Sequence, residues 1–226
     1  MSTSSAALPP DAPTAPVRRE VFYAAYGSNL SARRFACYIA GGAASGAIRA
    51  LRGARDQQAP VSWRGLRVPG RLTFHGHSET WGGAPAFFEP APPGDRSGAQ
   101  VFVRAWRLGW DQLEDVVAQE NGRATHPLDV GPGTPEEGFS VLAGPGRYDQ
   151  LVCVGTLESL PVLTCTAPAS SVPVHPEAPS RGYLAHIVTG LRETFDLGDT
   201  AIVDYLGRAP GTTNDLVRAA LVTDHA

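Results

Sequence analysis

A turn near the start of the chain presents backbone groups suited to binding an anion. Residues 21–30 read VFYAAYGSNL, an apolar and aromatic stretch typical of a strand that stops at Gly27. A helical pattern begins at Ser31, so the turn leaves several N–H groups without partners, and Gly27 has no Cβ to obstruct a ligand. Such a turn is suited to a carboxylate, a phosphate or a developing oxyanion. An ordinary strand–turn–helix corner is the alternative.

A carboxylate lies on the apolar face of a second predicted helix. The apolar residues Trp110, Leu113, Val116 and Val117 mark its inward stripe, and Glu120 is the next position on that stripe. Partial burial and the negative end of the helix would both raise the pKa of this carboxyl group. A raised pKa suits a group that acts first as a base and then as an acid near neutral pH.

Two alternatives remain for the charges of this helix. Glu120 could instead bend outward at the helix end or pair with Arg123 or another arginine. Glu114 and Asp115 fall on the opposite side and are predicted to be surface charges. Asp111 is the candidate N-cap, and Asn121 followed by Gly122 is the predicted stop of the helix.

The remaining pattern predicts an α+β domain. Strands dominate the first part of the chain and helices the last, which indicates a largely non-local sheet. The segment 66–76 contains Pro69 and Gly70, which mark an edge or a bulge. The long segment 124–150 has little periodicity and is predicted to be a lid or an insertion. The predicted strands cover residues 21–26, 66–76, 84–90, 100–108, 151–157 and 161–167, and the predicted helices cover 31–40, 110–121, 183–197, 200–206 and 214–221.

Composition narrows the class of protein. The 226-residue chain carries a net charge of −3 and no basic field, so it predicts neither a nucleic-acid partner nor a membrane. All 19 basic residues are arginine, a bias typical of a GC-rich genome, which excludes a Schiff-base or P-loop lysine. Three cysteines without Cys-x-x-Cys spacing predict free thiols and a cytoplasmic location. We expect a disordered tail over 1–19 and one domain over 20–226.

Two motifs together resemble the gamma-glutamylcyclotransferase-like family. These are YGSNL at 26–30 and QENG at 119–122, which is similar to the family's segment bearing one essential Glu. Between them, WGGA at 81–84, FFEP at 87–90 and the strand at 101–108 follow the family's order. PSRGY at 179–183 looks like the segment that carries a pocket tyrosine, so the likeness covers roughly residues 20–200.

The resemblance implies a small mixed β-barrel flanked by helices, with a cavity at one end. It implies a gamma-glutamyl or related acyl-amine substrate, release of 5-oxoproline, no cofactor or metal, and a monomer or homodimer. Glu120 would be the catalytic base and acid. The substrate-binding residues would be Tyr26, Gly27, Ser28, Asn29, Leu30 and Tyr183. A further family tyrosine shortly after the Glu has no counterpart in 123–130, where His126 could substitute as a donor.

Three other interpretations stay open. His75 and His77, with Glu79 nearby, could hold zinc for an amide hydrolase or deacylase if they share the face of a strand. Ser28 could act as a nucleophile, although the G-x-S-x-G elbow is missing. The turn could also serve a small-molecule binding module without turnover. Arg33 and Arg34 could attract an acidic substrate or form a solvated helix face.

Overall fold

A computed structural model describes residues 19–92, 94–125, 127–130, 135–138, 140–142, 146–167 and 175–222. The tail predicted over 1–19 lies outside this range except for its last residue, so both it and the domain bounds stay predictions. The strands are β1 (Glu20–Ala25), β2 (Ser62–Phe74), β3 (Ala86–Pro90), β4 (Gln100–Gly109), β5 (Ser140–Leu142), β6 (Gln150–Leu157) and β7 (Leu160–Thr166). The helices are α1 (Ala32–Ala40), α2 (Trp110–Glu120), α3 (Arg181–Phe195), α4 (Asp199–Leu206) and α5 (Asn214–Leu221).

Strand β1 is at the centre of a mixed sheet of order β3-β2-β4-β1-β7-β6-β5. It pairs antiparallel with β4 and parallel with β7, and it is buried on both faces. Phe22, Ala24 and Tyr26 pack on one side, against the layer formed by α3, α4 and α5. The alternate residues of β1 pack on the other side with α1 and α2. Burial on both faces explains why the strand reads as a continuous apolar run.

The sheet curls into a half-barrel because β2 changes partner along its length. Its first part pairs with β4 up to Pro69, and its second part pairs with β3 from Gly70, whose φ of 149° suits glycine. On the far side, the Thr166 hydroxyl of β7 donates to the Phe88 carbonyl of β3 at 2.7 Å. The predicted α+β architecture is confirmed. Pro69 and Gly70, predicted to mark an edge or a bulge, lie at the point where β2 changes its partner from β4 to β3.

Helix α2 ends as predicted but begins differently. Its N-cap is Gly109, whose N–H donates to the side chain of Gln112 at 3.1 Å, whereas Asp111 lies within the first turn. Asn121 is the C-cap, and Gly122 follows with a φ of 62°. Strand β5, inside the segment 124–150, was not predicted because only three residues form it. None of the described helices is both long and apolar enough to cross a membrane.

Candidate active site

A cavity of about 660 Å³ opens where the turn after β1 meets the C-terminal end of α2. It brings together both features that the sequence singled out, because Glu120 lines it from one side and Gly27, Ser28 and Asn29 line it from the other. Tyr26 and Tyr183 also contribute to its wall. Further side chains that line the cavity include Arg34, Tyr38, Arg49, His77, Glu79, Trp81, Arg147 and Tyr148.

The backbone carbonyls of the turn are all held by the protein. The Gly27 and Ser28 carbonyls accept from the amides of Leu30 (3.0 Å) and Ser31 (3.1 Å). The Asn29 carbonyl accepts from the Trp106 indole at 3.0 Å, and the Leu30 carbonyl accepts from Arg104 at 3.1 Å. These four bonds fix the turn from behind, so its remaining donors are held in place before any ligand arrives.

The backbone amides of Gly27 and Asn29 are donors of the turn that stay available to a ligand. Within the described part of the chain, neither amide donates to a protein acceptor. Leu30 differs, because its N–H bonds the Gly27 carbonyl and its side chain is fully buried outside the cavity wall. Leu30, which the sequence resemblance placed among the substrate-binding residues, is therefore a core residue and is not carried into the site.

The Tyr183 hydroxyl lies so close to Gly27 that it leaves no room for a side chain at this position. A Cβ at Gly27 would lie 2.8 Å from the Tyr183 hydroxyl oxygen. That oxygen accepts a hydrogen bond from the Ala86 amide at 3.1 Å. Burial raises the pKa of Tyr183 to about 12, against hydrogen bonds from the backbone of Ala86 and Ser28. Tyr183 is therefore a neutral hydroxyl, set against the turn at the end of the cavity.

Glu120 points into the cavity and is hydrogen-bonded across it. Its Oε1 accepts from Asn29 Nδ2 at 2.6 Å. Burial raises the pKa of Glu120, while the Arg34 charge and the bonds from Tyr38 and Asn29 oppose that rise. The net effect is a carboxyl group that holds its proton to higher pH than an ordinary glutamate does. Glu120 therefore faces the cavity and does not bend outward at the helix end.

The neighbours of Glu120 on α2 fix that helix in place. Gln119 accepts from the Gly53 amide at 3.1 Å and donates to the Tyr38 carbonyl at 3.0 Å. Asp115 is 1% exposed, so the prediction that it is a surface charge was wrong. It accepts from the Arg55 amide at 2.8 Å and from the Thr125 hydroxyl. Partners from two loops thus cover the face of α2 that periodicity assigned to solvent.

The paired arginines of α1 have different environments. Arg33 is exposed as predicted, but Arg34 is 3% exposed and lines the cavity. Its guanidinium lies over the rings of Tyr38 and Trp81, at 4.8 and 5.1 Å from their centroids. The solvated face predicted for both is therefore wrong for Arg34. The signal available in the sequence was its spacing, since Arg34 precedes Tyr38 by one helical turn.

Tyr148 supplies a tyrosine that the sequence alone did not place. It comes from the segment 124–150, lines the cavity, and donates from its hydroxyl to the Ala86 carbonyl at 3.0 Å. The side chain of Asn121 makes two hydrogen bonds to the backbone of Tyr148. It accepts from the Tyr148 amide at 2.8 Å and donates to the Tyr148 carbonyl at 3.0 Å. His126, the predicted substitute, lies outside the described residues.

The zinc interpretation depended on a strand through residues 75–77, and β2 ends at Phe74. His75 is buried and lies outside the cavity wall, whereas His77 is exposed and lines the wall. In the described ranges, no group of three or more His, Cys, Asp or Glu side chains could hold a metal ion. Ser28 lies in the cavity, but no hydrogen bond joins its hydroxyl to a described histidine. No contact among the described residues supports either the zinc site or Ser28 as a nucleophile.

Comparison with known proteins places the fold. No protein-family model matches the chain. A solved structure titled gamma-glutamyl cyclotransferase superposes on 88% of this chain and 99% of its own, with a TM-score of 0.51 and 18% identity. A structure of an uncharacterized protein from Homo sapiens superposes on 86% of this chain and 90% of its own, with a TM-score of 0.48 and 18% identity. The first of these two structures shows that the chain has the gamma-glutamylcyclotransferase-like fold.

One curated protein matches at the level of sequence. Histone deacetylase 5 of Arabidopsis thaliana is 30% identical over 212 residues, which is 84% of this chain. The chain spans 31% of the length of that protein. The match therefore relates this chain to a portion of a much longer one.

Proposed function

We propose that the protein is a gamma-glutamylcyclotransferase-like enzyme that cleaves a gamma-glutamyl or related acyl amide by intramolecular amine attack. The observation that carries the proposal is the hydrogen bond of Glu120 to Asn29 across a cavity that the turn amides also line. The fold of the solved cyclotransferase supports the same class of chemistry by analogy.

Glu120 acts first as the base. The substrate's own α-amine attacks the γ-carbonyl carbon, and the Glu120 carboxylate accepts a proton from the attacking nitrogen. The carbonyl oxygen becomes an oxyanion, for which the Gly27 and Asn29 amides are available donors. Because amine and carbonyl belong to one bound molecule, proximity supplies a large share of the rate.

Glu120 then acts as the acid. The bond between the γ-carbon and the leaving nitrogen breaks, and Glu120 returns its proton to that nitrogen. The products are the five-membered lactam 5-oxoproline and a free amine, and Glu120 ends as the carboxylate with which it began. A raised pKa is suited to this cycle, since the carboxyl group must both take and give a proton near neutral pH.

The aromatic residues shape the pocket in this proposal. The Tyr26 hydroxyl donates to the Cys165 carbonyl at 2.7 Å, so its ring is fixed as part of the wall. Tyr183 and Tyr148 bind opposite sides of Ala86, through its amide and its carbonyl. Burial raises the pKa of both phenols, so each keeps its proton. The Tyr183 hydroxyl accepts from Ala86 and can donate to a polar group of the substrate, whereas the Tyr148 hydroxyl already donates to the Ala86 carbonyl.

The test is a screen of gamma-glutamyl amines and dipeptides for release of 5-oxoproline. Wild type, Glu120→Gln and Glu114→Gln are assayed together, since Glu114 is on the same helix but outside the cavity wall. We expect lactam release by wild type and Glu114→Gln, and a loss of about 100-fold or more in Glu120→Gln. Full activity of folded Glu120→Gln would remove Glu120 from the mechanism.

Deacylation is the second candidate, favoured by the sequence match to part of a histone deacetylase. In that reaction water, activated by Glu120, attacks the carbonyl in place of the substrate amine. The product is then a free acid and not a lactam. A non-catalytic binding module would bind gamma-glutamyl compounds in both wild type and Glu120→Gln and release no product from either.

A further inference from the structure

Arg34 is a buried cation whose hydrogen-bonding capacity is mostly unused. The residue is 3% exposed, and its Nε and one of its terminal nitrogens have no hydrogen-bond partner in the described part of the chain. The other terminal nitrogen donates to the Tyr38 hydroxyl at 3.3 Å. Within the described residues, Arg34 forms no ion pair with a carboxylate. A guanidinium cannot shed its proton to escape this cost, so an anion from outside would complete the site.

The surroundings of Arg34 hold its guanidinium in position at the cavity wall. The guanidinium lies over the rings of Tyr38 and Trp81, and the backbone amide of Arg34 donates to the N-cap hydroxyl of Ser31. A planar cation held against two rings binds a carboxylate through paired N–H groups with little loss of side-chain freedom. Two further arginines line the cavity, but Arg49 pairs with Glu79. The third, Arg147, donates to the His77 carbonyl at 2.6 Å.

The position of Arg34 relative to Glu120 limits what the anion can be. Tyr38 is close to both residues, since its hydroxyl accepts from Arg34 at 3.3 Å and its side chain lowers the pKa of Glu120. An anion on Arg34 and an amine on Glu120 would therefore be neighbours in one ligand. We propose that Arg34 binds the α-carboxylate of an α-amino acid unit whose amine faces Glu120. The assignment of that amine rests on the proposed function, whereas the anion site itself does not.

The first test compares two substrates that differ only in the carboxylate. A gamma-glutamyl amide and the 4-aminobutyryl amide of the same amine can both cyclise, but only the first carries the α-carboxylate. We expect wild type to prefer the gamma-glutamyl amide by at least about tenfold in kcat/KM. Wild type that cleaves both equally well would overturn the inference and leave the proposed function standing.

Variants of Arg34 test whether this residue causes the preference for the gamma-glutamyl amide. Arg34→Met keeps the length of the side chain and removes its charge, and the exposed neighbour Arg33→Met is the matched control. We expect the substrate preference to fall to near unity in Arg34→Met, to be partly retained in Arg34→Lys, and to be unchanged in Arg33→Met. Rates are compared at a pH where each profile is level, because the Arg34 charge also acts on Glu120. A folded Arg34→Met enzyme that keeps the full preference would contradict the inference.

A binding experiment decides the question without turnover. Titration calorimetry with 5-oxoproline and with 2-pyrrolidinone, the same lactam without its carboxylate, is run on wild type, Arg34→Met and Arg34→Lys. We expect wild type to bind 5-oxoproline at least about tenfold more tightly than 2-pyrrolidinone, and Arg34→Met to lose that difference. Equal binding of the two lactams by wild type would overturn the anion site. If no gamma-glutamyl amide is cleaved, the proposed function fails, and this comparison still tests Arg34.

Discussion

Asn29 and Glu120 are 91 residues apart in the chain and are joined by a 2.6 Å hydrogen bond from Nδ2 to Oε1. Asn29 belongs to the turn that follows β1, and Glu120 is the last residue of α2. The bond therefore sets the position of the acid relative to the amides of Gly27 and Asn29. Its donor also stabilises the charged form of Glu120, against the effect of burial.

Replacing Glu120 with Gln should not destabilise the protein at neutral pH. The pKa of Glu120 is raised in the folded state, so the folded protein binds more protons than the unfolded chain between the two pKa values. Stability then falls as pH rises through that interval, and Gln removes the loss. We expect Glu120→Gln to unfold at the same or a higher temperature than wild type at neutral pH. Thermal unfolding across pH measures this, and a clearly lower melting temperature at neutral pH would contradict it.

Asn29→Ala should move the acid limb of the pH–rate profile. The bond from Asn29 lowers the pKa of Glu120, so its removal lets burial raise that pKa further. The free enzyme must hold Glu120 as the carboxylate, so the rise of kcat/KM should shift to higher pH. Ser28→Ala is the control, because the Ser28 hydroxyl makes no hydrogen bond to Glu120 in the described contacts. A limb that stays in place in Asn29→Ala would refute the coupling.

Gly27 and Tyr183 should be energetically coupled. Gly27→Ala places a Cβ 2.8 Å from the Tyr183 oxygen and should lower the free energy of unfolding by about 1–3 kcal/mol. Tyr183→Phe removes that oxygen but leaves the buried Ala86 amide without its acceptor, at a cost of about 1–3 kcal/mol. The double variant should lose less than the sum of the two by about 0.5–3 kcal/mol. Denaturant unfolding of all four proteins measures this, and strict additivity would exclude the contact.

Asp115 and Glu120 should separate stability from activity on one helix. Asp115 binds the amide and side chain of Arg55 and the hydroxyl of Thr125 and does not line the cavity. Asp115→Ala should lower the free energy of unfolding by about 1–3 kcal/mol. Below its melting temperature Asp115→Ala should keep most of the wild-type kcat/KM. Glu120→Gln should keep its stability and lose its activity. Equal loss of activity in the two variants would argue against a specific role for Glu120.

The central features of the site could be predicted from local signals. The turn at Gly27 and the acid at Glu120 each follow from the pattern of a single element, and the structure places both at one cavity. Arg34 and Asp115 were assigned to solvent because periodicity cannot show which loops or rings will cover a helix face. Tyr148 was missed for a related reason. It reaches the cavity from a segment without periodicity, held there by Asn121 through contacts that only the folded chain makes.

The most direct test of the account is the origin of the oxygen in the product. A gamma-glutamyl amine is incubated with the enzyme in water enriched in oxygen-18, and the acyl product is identified by mass spectrometry. Intramolecular attack predicts 5-oxoproline without the label, formed by wild type and lost in Glu120→Gln. Glutamate that carries one labelled oxygen would mean that water is the nucleophile, and it would contradict the proposed cyclisation.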